Sequence, residues 1–306
     1  MLILYVLILE IKLSYKTIPT NQPLLCEIGE SPIWLASHQS LFWVDTENFH
    51  IHKYSLPTQY HQKIKVPVAV TAIAPTQNSD WLVATKTGLY RCDFNFKHFE
   101  FILDPTEGIE HIRLNDAVNC PNGDLWFGTM NEEQLNQPDG CIYRYQAKTH
   151  NLSQLDESYA VANGITFNEN LKRAYISNMF KGQVIELQMN HDWSAVINKK
   201  VFIQLEEQQG LPDGLTTDNM GNIHVCHWDK GCISIYNPRG QRLDVIDLPV
   251  QHATRCTFGG ENLNLLFITT AWYGMTDQAR DEQPLSGSTF VIPAPFLGKV
   301  EHFFSG

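Results

Sequence analysis

The chain has 306 residues, 43% of them apolar and only 18% charged, so a large core can sit beneath a lightly charged surface. Asp and Glu number 33 against 22 Lys and Arg, a formal net charge of −11, which argues against a phosphate-tracking surface and therefore against nucleic acid as a partner. Large apolar and aromatic residues run the whole length and exclude a disordered chain.

The first feature is the apolar run Leu2 to Leu9 (LILYVLIL). It falls well short of the roughly 20 residues that a membrane span needs. It also lacks the basic start and small-residue cleavage site of a secretory signal. It reads as an extra edge strand or as residues upstream of the true start. Residues 1–14 are therefore set apart as an apolar leader, with a single domain over 15–306. No other stretch could cross a bilayer, so no membrane partner is expected.

Beyond the leader, one short design recurs: LFWVD (41–45), WLVAT (81–85), LWFGT (125–129), AYISN (174–178), IHVCH (223–227) and LFITT (266–270), about 45 residues apart. β-Branched and aromatic enrichment makes these strands, and each follows a turn rich in Gly, Asn, Asp or Ser. Ahead of each turn lies another short strand: SPIWL, VTAIA, DAVN, GITF, GLTT and RCTF. A third strand of period two follows, as in IHKYSL (51–56) and QVIELQ (183–188). In places there is a fourth: KIKVP (63–67), VFIQL (201–205) and LDVIDLP (243–249).

Four antiparallel strands repeated six times predict an all-β chain folded as a six-bladed β-propeller. The remainder supplies an N-terminal strand, Tyr15 to Ile18, to complete the last blade and close the ring. Convincing amphipathic helices are absent, which disfavours a βα barrel; a two-sheet sandwich is the remaining alternative. The seven cysteines show no C-x-x-C pair and read as reduced thiols of a cytoplasmic protein.

In a propeller the first strand of each blade lines the channel, so equivalent inner positions converge. Counting back 10 or 11 residues from each recurring segment gives Glu30, Thr71, Asn115, Asn163, Asp213 and Arg255. Four of these offer carboxylate or amide oxygens. Aimed at one point they need a partner, and a divalent cation supplies it. An all-oxygen set suits Ca²⁺, Mg²⁺ or Mn²⁺, with Zn²⁺ tolerated. Taken singly, Asn163-Gly164 and Asp213-Gly214 are ordinary turn dipeptides; recurrence in register is what points to a site. None of the twelve histidines has the spacing of a zinc motif, and His227 stands as a candidate for the channel rim.

The motifs GESPIW (29–34), RLNDAVNCPNGDLWFGTM (113–130), ANGITF (162–167), PDGLTTDNMGNIHV (212–225) and FGGENLNLLFITTA (258–271) occur in order. On them the sequence resembles the regucalcin/gluconolactonase family (senescence marker protein and sugar-lactone lactonases), from roughly Leu24 to Lys299. The resemblance implies a six-bladed propeller with one divalent metal ion at the channel mouth, held by Glu30, Asn163 and Asp213. It further implies substrate contacts from Arg113, Asn115 and Glu133; Arg113 and Glu133 come from the resemblance alone. Asn119 stands where the family usually has Asp, a change in turn chemistry. The stretch VCHWDKG (225–231) departs from other members and bears on substrate preference.

The expected reaction is hydrolysis of a sugar lactone, an aldonolactone such as gluconolactone, to the aldonic acid. The ion would polarise the carbonyl, and Asp213 would take the proton of the attacking water as the catalytic residue. Neither G-x-S-x-G nor a Gly-rich phosphate loop is present to support acyl-enzyme or nucleotide chemistry. Two alternatives stand beside the lactonase: a propeller hydrolase of other esters or phosphotriesters, and a non-enzymatic calcium-binding regulatory protein. The sequence carries no signal of oligomeric state.

Overall fold

The computed structural model describes residues 15–19 and 24–306; the leader over 1–14 lies outside the described residues. The described strands form six antiparallel sheets of four. Blade 1 comprises Gly29–Leu35, Ser40–Asp45, His50–Ser55 and Tyr60–Lys65. Blade 2 comprises Val70–Pro75, Asp80–Thr85, Gly88–Asp93 and Phe99–Leu103. Blade 3 comprises Ile112–Asn119, Leu125–Asn131, Gly140–Tyr145 and Leu152–Tyr159. Blade 4 comprises Ala162–Asn168, Arg173–Asn178, Gln183–Met189 and Val196–Gln204. Blade 5 comprises Leu211–Thr217, Ile223–Trp228, Cys232–Tyr236 and Arg242–Asp247. Blade 6 comprises Ala253–Gly259, Leu265–Thr270 and Phe290–Pro293, completed by Lys16–Thr17 from the other end of the chain.

Each blade's first strand packs on the first strand of the next, and the sixth returns to the first. The sheets therefore close into a six-bladed propeller, and the two-sheet sandwich is excluded. The closing strand is shorter than the expected Tyr15 to Ile18. Lys16 pairs with Val291 and Thr17 with Phe290, and the Ile18 amide adds a 2.9 Å bond to the Thr289 carbonyl.

The recurring segments are the second strands, and burial on both faces explains their near-continuous apolar character. Trp43, Trp81 and Trp126 have no exposed surface. Aromatic pairs join neighbouring blades: Phe42 with Trp81 at 5.0 Å, Trp126 edge-on to Phe167 at 5.2 Å, and Trp34 stacked on Phe267 at 5.5 Å across the closure. Burying each such side chain contributes about 1.5–3 kcal/mol, and edge-to-face or offset geometry adds to it. All seven cysteines are free thiols and six are buried.

Helix is scarce among the described residues. Helix α1 (Asp277–Glu282), capped by the Thr276 hydroxyl accepting from the Ala279 amide, interrupts blade 6 between its second and third strands. No helix of the described residues is long and apolar enough to cross a membrane.

Candidate active site

Every inner strand carries a β-bulge at the same level, interrupting pairing between Glu30 and Ile33, Val70 and Ala72, Leu114 and Ala117, Asn163 and Thr166, Pro212 and Leu215, and Ala253 and Arg255. A bulge adds an unpaired residue and re-aims its side chain. Six bulges in register therefore turn six short segments toward one mouth of the channel. In blade 1 the bulge puts Ser31 in the left-handed region at φ 48°; its hydroxyl accepts from the Ile73 amide of blade 2 at 3.0 Å, which holds it there. In blade 4 the bulge contains Gly164 at φ 54°, and a Cβ there would fall 2.2 Å from the Asp213 carbonyl oxygen. Only glycine permits this approach of blades 4 and 5.

At this mouth lies a cavity of about 480 Å³, lined by Glu30, Thr71, Arg113, Asn115, Asn163 and Asp213 together with Asp116, Glu132, Lys86, Glu47, Trp228, His252 and Tyr273. Five of the six positions found by repeat counting thus share one wall. The sixth, Arg255, lies beneath it: its guanidinium donates to the Asp116 carboxylate across the channel and to the Ile165 carbonyl at 3.2 Å. Burial works against the Arg255 charge, yet Asp116 and Glu30 outweigh it and push its pKa up.

The carboxylates are out of balance. Glu30, Asp116 and Asp213 face the single cation Arg255. Burial pushes Glu30 up to about 7, with Asp116 adding to the shift and Arg255 and the Ser31 amide opposing it. Asp213 is pushed well above the usual carboxylate range by burial first, then by Glu30 and Asp116. Its carboxylate accepts from the Asn163 side-chain amide, while Asn163 Oδ1 accepts from the Gly164 amide at 2.9 Å. A second positive charge is what this arrangement is short of. Two carboxylates and an amide from blades 1, 4 and 5 form an oxygen donor set that fits a hard divalent ion.

Arg113 is clamped on the same wall. Its Nε donates to Glu132 Oε2 at 2.8 Å, and Nη1 donates to Asn115 Oδ1 at 3.2 Å and the Leu114 carbonyl at 2.9 Å. Burial lowers its pKa while Glu132 opposes the shift. Asn115 Nδ2 donates in turn to the Ala162 carbonyl of blade 4 at 3.2 Å. Lys86 bridges Glu47 at 3.0 Å and Glu132 at 3.6 Å on the rim.

Glu133 is not among the lining residues; it is exposed, and the acid on the cavity wall is its neighbour Glu132. Blade 3's second strand ends at Asn131, whose Oδ1 accepts from the Glu133 amide at 3.1 Å and the Gln134 amide at 2.8 Å. Met130 also lines the cavity, so strand alternation continues that face to Glu132 and leaves Glu133 on the other side. His227 is buried with Nδ1 on the Gln209 carbonyl at 2.7 Å; Trp228 lines the cavity instead, stacked on His252 at 4.0 Å. Asp116 escaped repeat counting because the bulge turns two consecutive residues, Asn115 and Asp116, inward. Lys86, Glu47, His252 and Tyr273 lie on loops and strand ends that carry no repeat signal.

A six-bladed propeller with an acidic, ligand-sized cavity at one mouth of its channel is the class that fold and site define. Residues 28–272 match the SMP-30/Gluconolactonase/LRE-like region, and the chain belongs to that family, as its five motifs implied. It is 28% identical over 250 residues to pentonolactonase XacC of Haloferax volcanii, covering 80% of this chain and 82% of the relative. It is 25% identical over 268 residues to regucalcin of Danio rerio, covering 87% and 90%. Among solved structures, the calcium-binding protein regucalcin from Agrobacterium tumefaciens has the same fold, with a TM-score of 0.89 at 21% identity over 95% of this chain and 97% of that one.

Proposed function

We propose that the protein is a lactonase that hydrolyses the ring ester of an aldonolactone to the open aldonic acid, with one divalent ion held by Glu30, Asn163 and Asp213. The observation that carries this reading is the excess of buried carboxylate over Arg255, beside a fixed Arg113–Asn115 pair, in a family whose relatives bear lactonase names. Bound there, an ion of the Ca²⁺, Mg²⁺, Mn²⁺ or Zn²⁺ kind supplies Lewis-acid polarisation of the lactone carbonyl.

The chain's own residues do the rest. Asp213 is the proton acceptor for the attacking water: the carboxylate oxygen that faces Asn163 would hold the ion, and the other is left for that water. Arg113 offers N–H groups to the ester or ring oxygens. Asn115 and Glu132 bind hydroxyls, which both donate and accept; we give Glu132 the role that the resemblance had given Glu133. Trp228 presents an apolar face for the sugar's C–H surface. General-base assistance of this kind is worth about 10²–10⁴-fold.

The test is a pH-indicator assay over gluconolactone, galactonolactone, arabinonolactone and xylonolactone, run after chelation and again with each ion restored. Turnover of at least one lactone, lost on chelation and regained with an ion, is expected. Activity that survives thorough chelation would remove the ion from the reaction. Inactivity on every lactone under all conditions would remove the substrate class.

A further inference from the structure

A second group of ligating side chains lies away from the channel oxygens. Cys26, Asp45 and His52 are all buried, and one donor atom from each lies within 4.8 Å of the others. Cys26 Sγ is 3.9 Å from His52 Nε2. Sulfur and nitrogen bound to one tetrahedral Zn²⁺ stand about 3.6 Å apart, from Zn–S near 2.3 Å and Zn–N near 2.0–2.1 Å. The observed spacing needs only a few tenths of an ångström of closure.

The surroundings are built to hold these donors. His52 Nδ1 is 3.0 Å from His61 Nε2, so a proton shared on that side leaves Nε2 with a free lone pair toward the sulfur. A partner on the far nitrogen of a ligating imidazole is the usual way its tautomer and ring angle are fixed. The Trp43 ring stacks on His52 at 4.9 Å and 13°. Burial, with Asp45 adding to it, pushes the Cys26 thiol well up, so a bound cation is what would stabilise its thiolate; the Trp43 indole N–H, which has no hydrogen-bond partner among the described residues, lies toward the sulfur and works against that shift. Asp45 is steadied by the Glu27 amide at 3.1 Å and by Asn48 Nδ2 at 3.0 Å.

We propose that Cys26, Asp45 and His52 form a binding site for a borderline transition-metal ion, Zn²⁺ in the first place, distinct from the oxygen set in the channel. Thiolate and imidazole select such an ion over Ca²⁺ or Mg²⁺. Three protein donors leave a fourth position for water. On binding, the Cys26 S–H bond gives way to the sulfur–metal bond and the proton passes to solvent. The site has a mechanical meaning in this fold. Cys26 lies on the chain that runs from the closing strand of blade 6 into blade 1, while Asp45 and His52 belong to blade 1 itself. An ion would clasp the ring at its seam, a few residues from Ile28, Thr46 and Glu47 on the cavity wall.

The test uses the chelated full-length protein titrated with Co²⁺ as a spectroscopic stand-in for Zn²⁺. A thiolate-to-cobalt charge-transfer band is expected in the wild type. It is also expected in the Glu30→Gln/Asp213→Asn double variant, because the channel set contains no sulfur. The band should vanish in Cys26→Ser and persist in Cys226→Ser. His61→Ala, which touches no ligand atom directly, should keep the band while weakening Co²⁺ affinity about 10–100-fold. Zn²⁺ should raise the melting temperature of the double variant, and this gain should be lost when Cys26→Ser is added. Absence of the band in the wild type, or its survival in Cys26→Ser, overturns the assignment.

Discussion

Glu30 and Asp213 are buried with Asp116 around Arg255, and burial pushes both carboxyls up, so at the proposed ion site protons compete with the ion. The sign of the pH effect follows. Glu30 is raised to about 7, so below that pH its protonated form prevails and competes with metal. Metal affinity should climb as pH rises through about 7, where Glu30 loses its proton, and go on climbing while Asp213 still holds one, with proton release counted by calorimetry in buffers of different ionisation enthalpy. Affinity that is flat across this range would contradict the site. Asp213→Asn should show a paired signature: turnover down by about 10²–10⁴-fold, and metal-free stability at neutral pH increased. A carboxyl whose folded pKa is raised destabilises the fold once pH exceeds its unfolded value, and the amide removes that cost. Loss of activity together with loss of stability would instead mark Asp213 as a structural residue. Repeat counting reached Glu30, Asn115, Asn163 and Asp213 because the bulge recurs at one level in every blade. It could not reach Asp116 or Glu132, because how many residues a bulge turns inward, and where a turn ends strand alternation, depend on backbone geometry rather than on residue type.

At the scale of elements, the C-terminal tail closes the end of the channel opposite the cavity. Its Phe304 amide bonds to the Pro75 carbonyl of blade 2 at 3.0 Å, the Ser305 amide to the Gly123 carbonyl at 3.0 Å, and Asn119 Nδ2 of blade 3 reaches the His302 carbonyl at 2.9 Å. Asn119 thus ties a blade to the tail, a role beyond the turn chemistry that its sequence position implied. The anchor to blade 4 is Glu169, which meets Lys299 Nζ at 2.9 Å and His302 Nε2 at 3.0 Å. The His302 hydrogen bond, with Lys299 and against burial, lowers Glu169 to about 2. Its contribution is therefore present above the ordinary glutamate value and lost as pH falls toward about 2. Glu169 is 41% exposed, so screening holds this contribution to about 1 kcal/mol or less. Glu169→Gln should lower urea stability by that amount at neutral pH, and the gap to wild type should shrink between about pH 4.5 and 2. A gap independent of pH would assign the loss to packing. The second strands of all six blades were legible in the sequence because both faces are buried. The outer strands were legible only in part: Tyr60–Lys65 is mostly exposed and lies three residues before the segment expected from KIKVP, and Phe99–Leu103 carries no strong pattern at all. Exposure removes the apolar signal that pattern reading depends on.

For the whole molecule, the ring makes the site a property of closure. The three proposed donors come from blades 1, 4 and 5, and blade 1 meets blade 6 at the seam where Lys16–Thr17 joins Phe290–Pro293 and Trp34 stacks on Phe267. Opening that seam frees blade 1 from one neighbour and carries Glu30 away from Asp213, even with every blade still formed. Ile18 is the buried pin of the closing segment, 5% exposed and packed in one cluster with Trp34, Trp43 and Phe267. Truncating such a side chain costs about 2–4 kcal/mol through lost burial and the cavity left behind. Ile18→Ala should lower the urea midpoint accordingly without touching any residue of the cavity. The sharper expectation concerns cooperativity. If the ring is one unit, tryptophan fluorescence, which reports on strand tryptophans of blades 1, 2, 3 and 5, and loss of lactonase turnover should fall at a common, lowered midpoint. Were the blades independent repeats joined in series, as in an open solenoid, the seam would give way first. Turnover would then disappear at a denaturant concentration where most of the fluorescence change had yet to occur; turnover that outlasted the opening of the seam would mean that blades 4 and 5 suffice for the site.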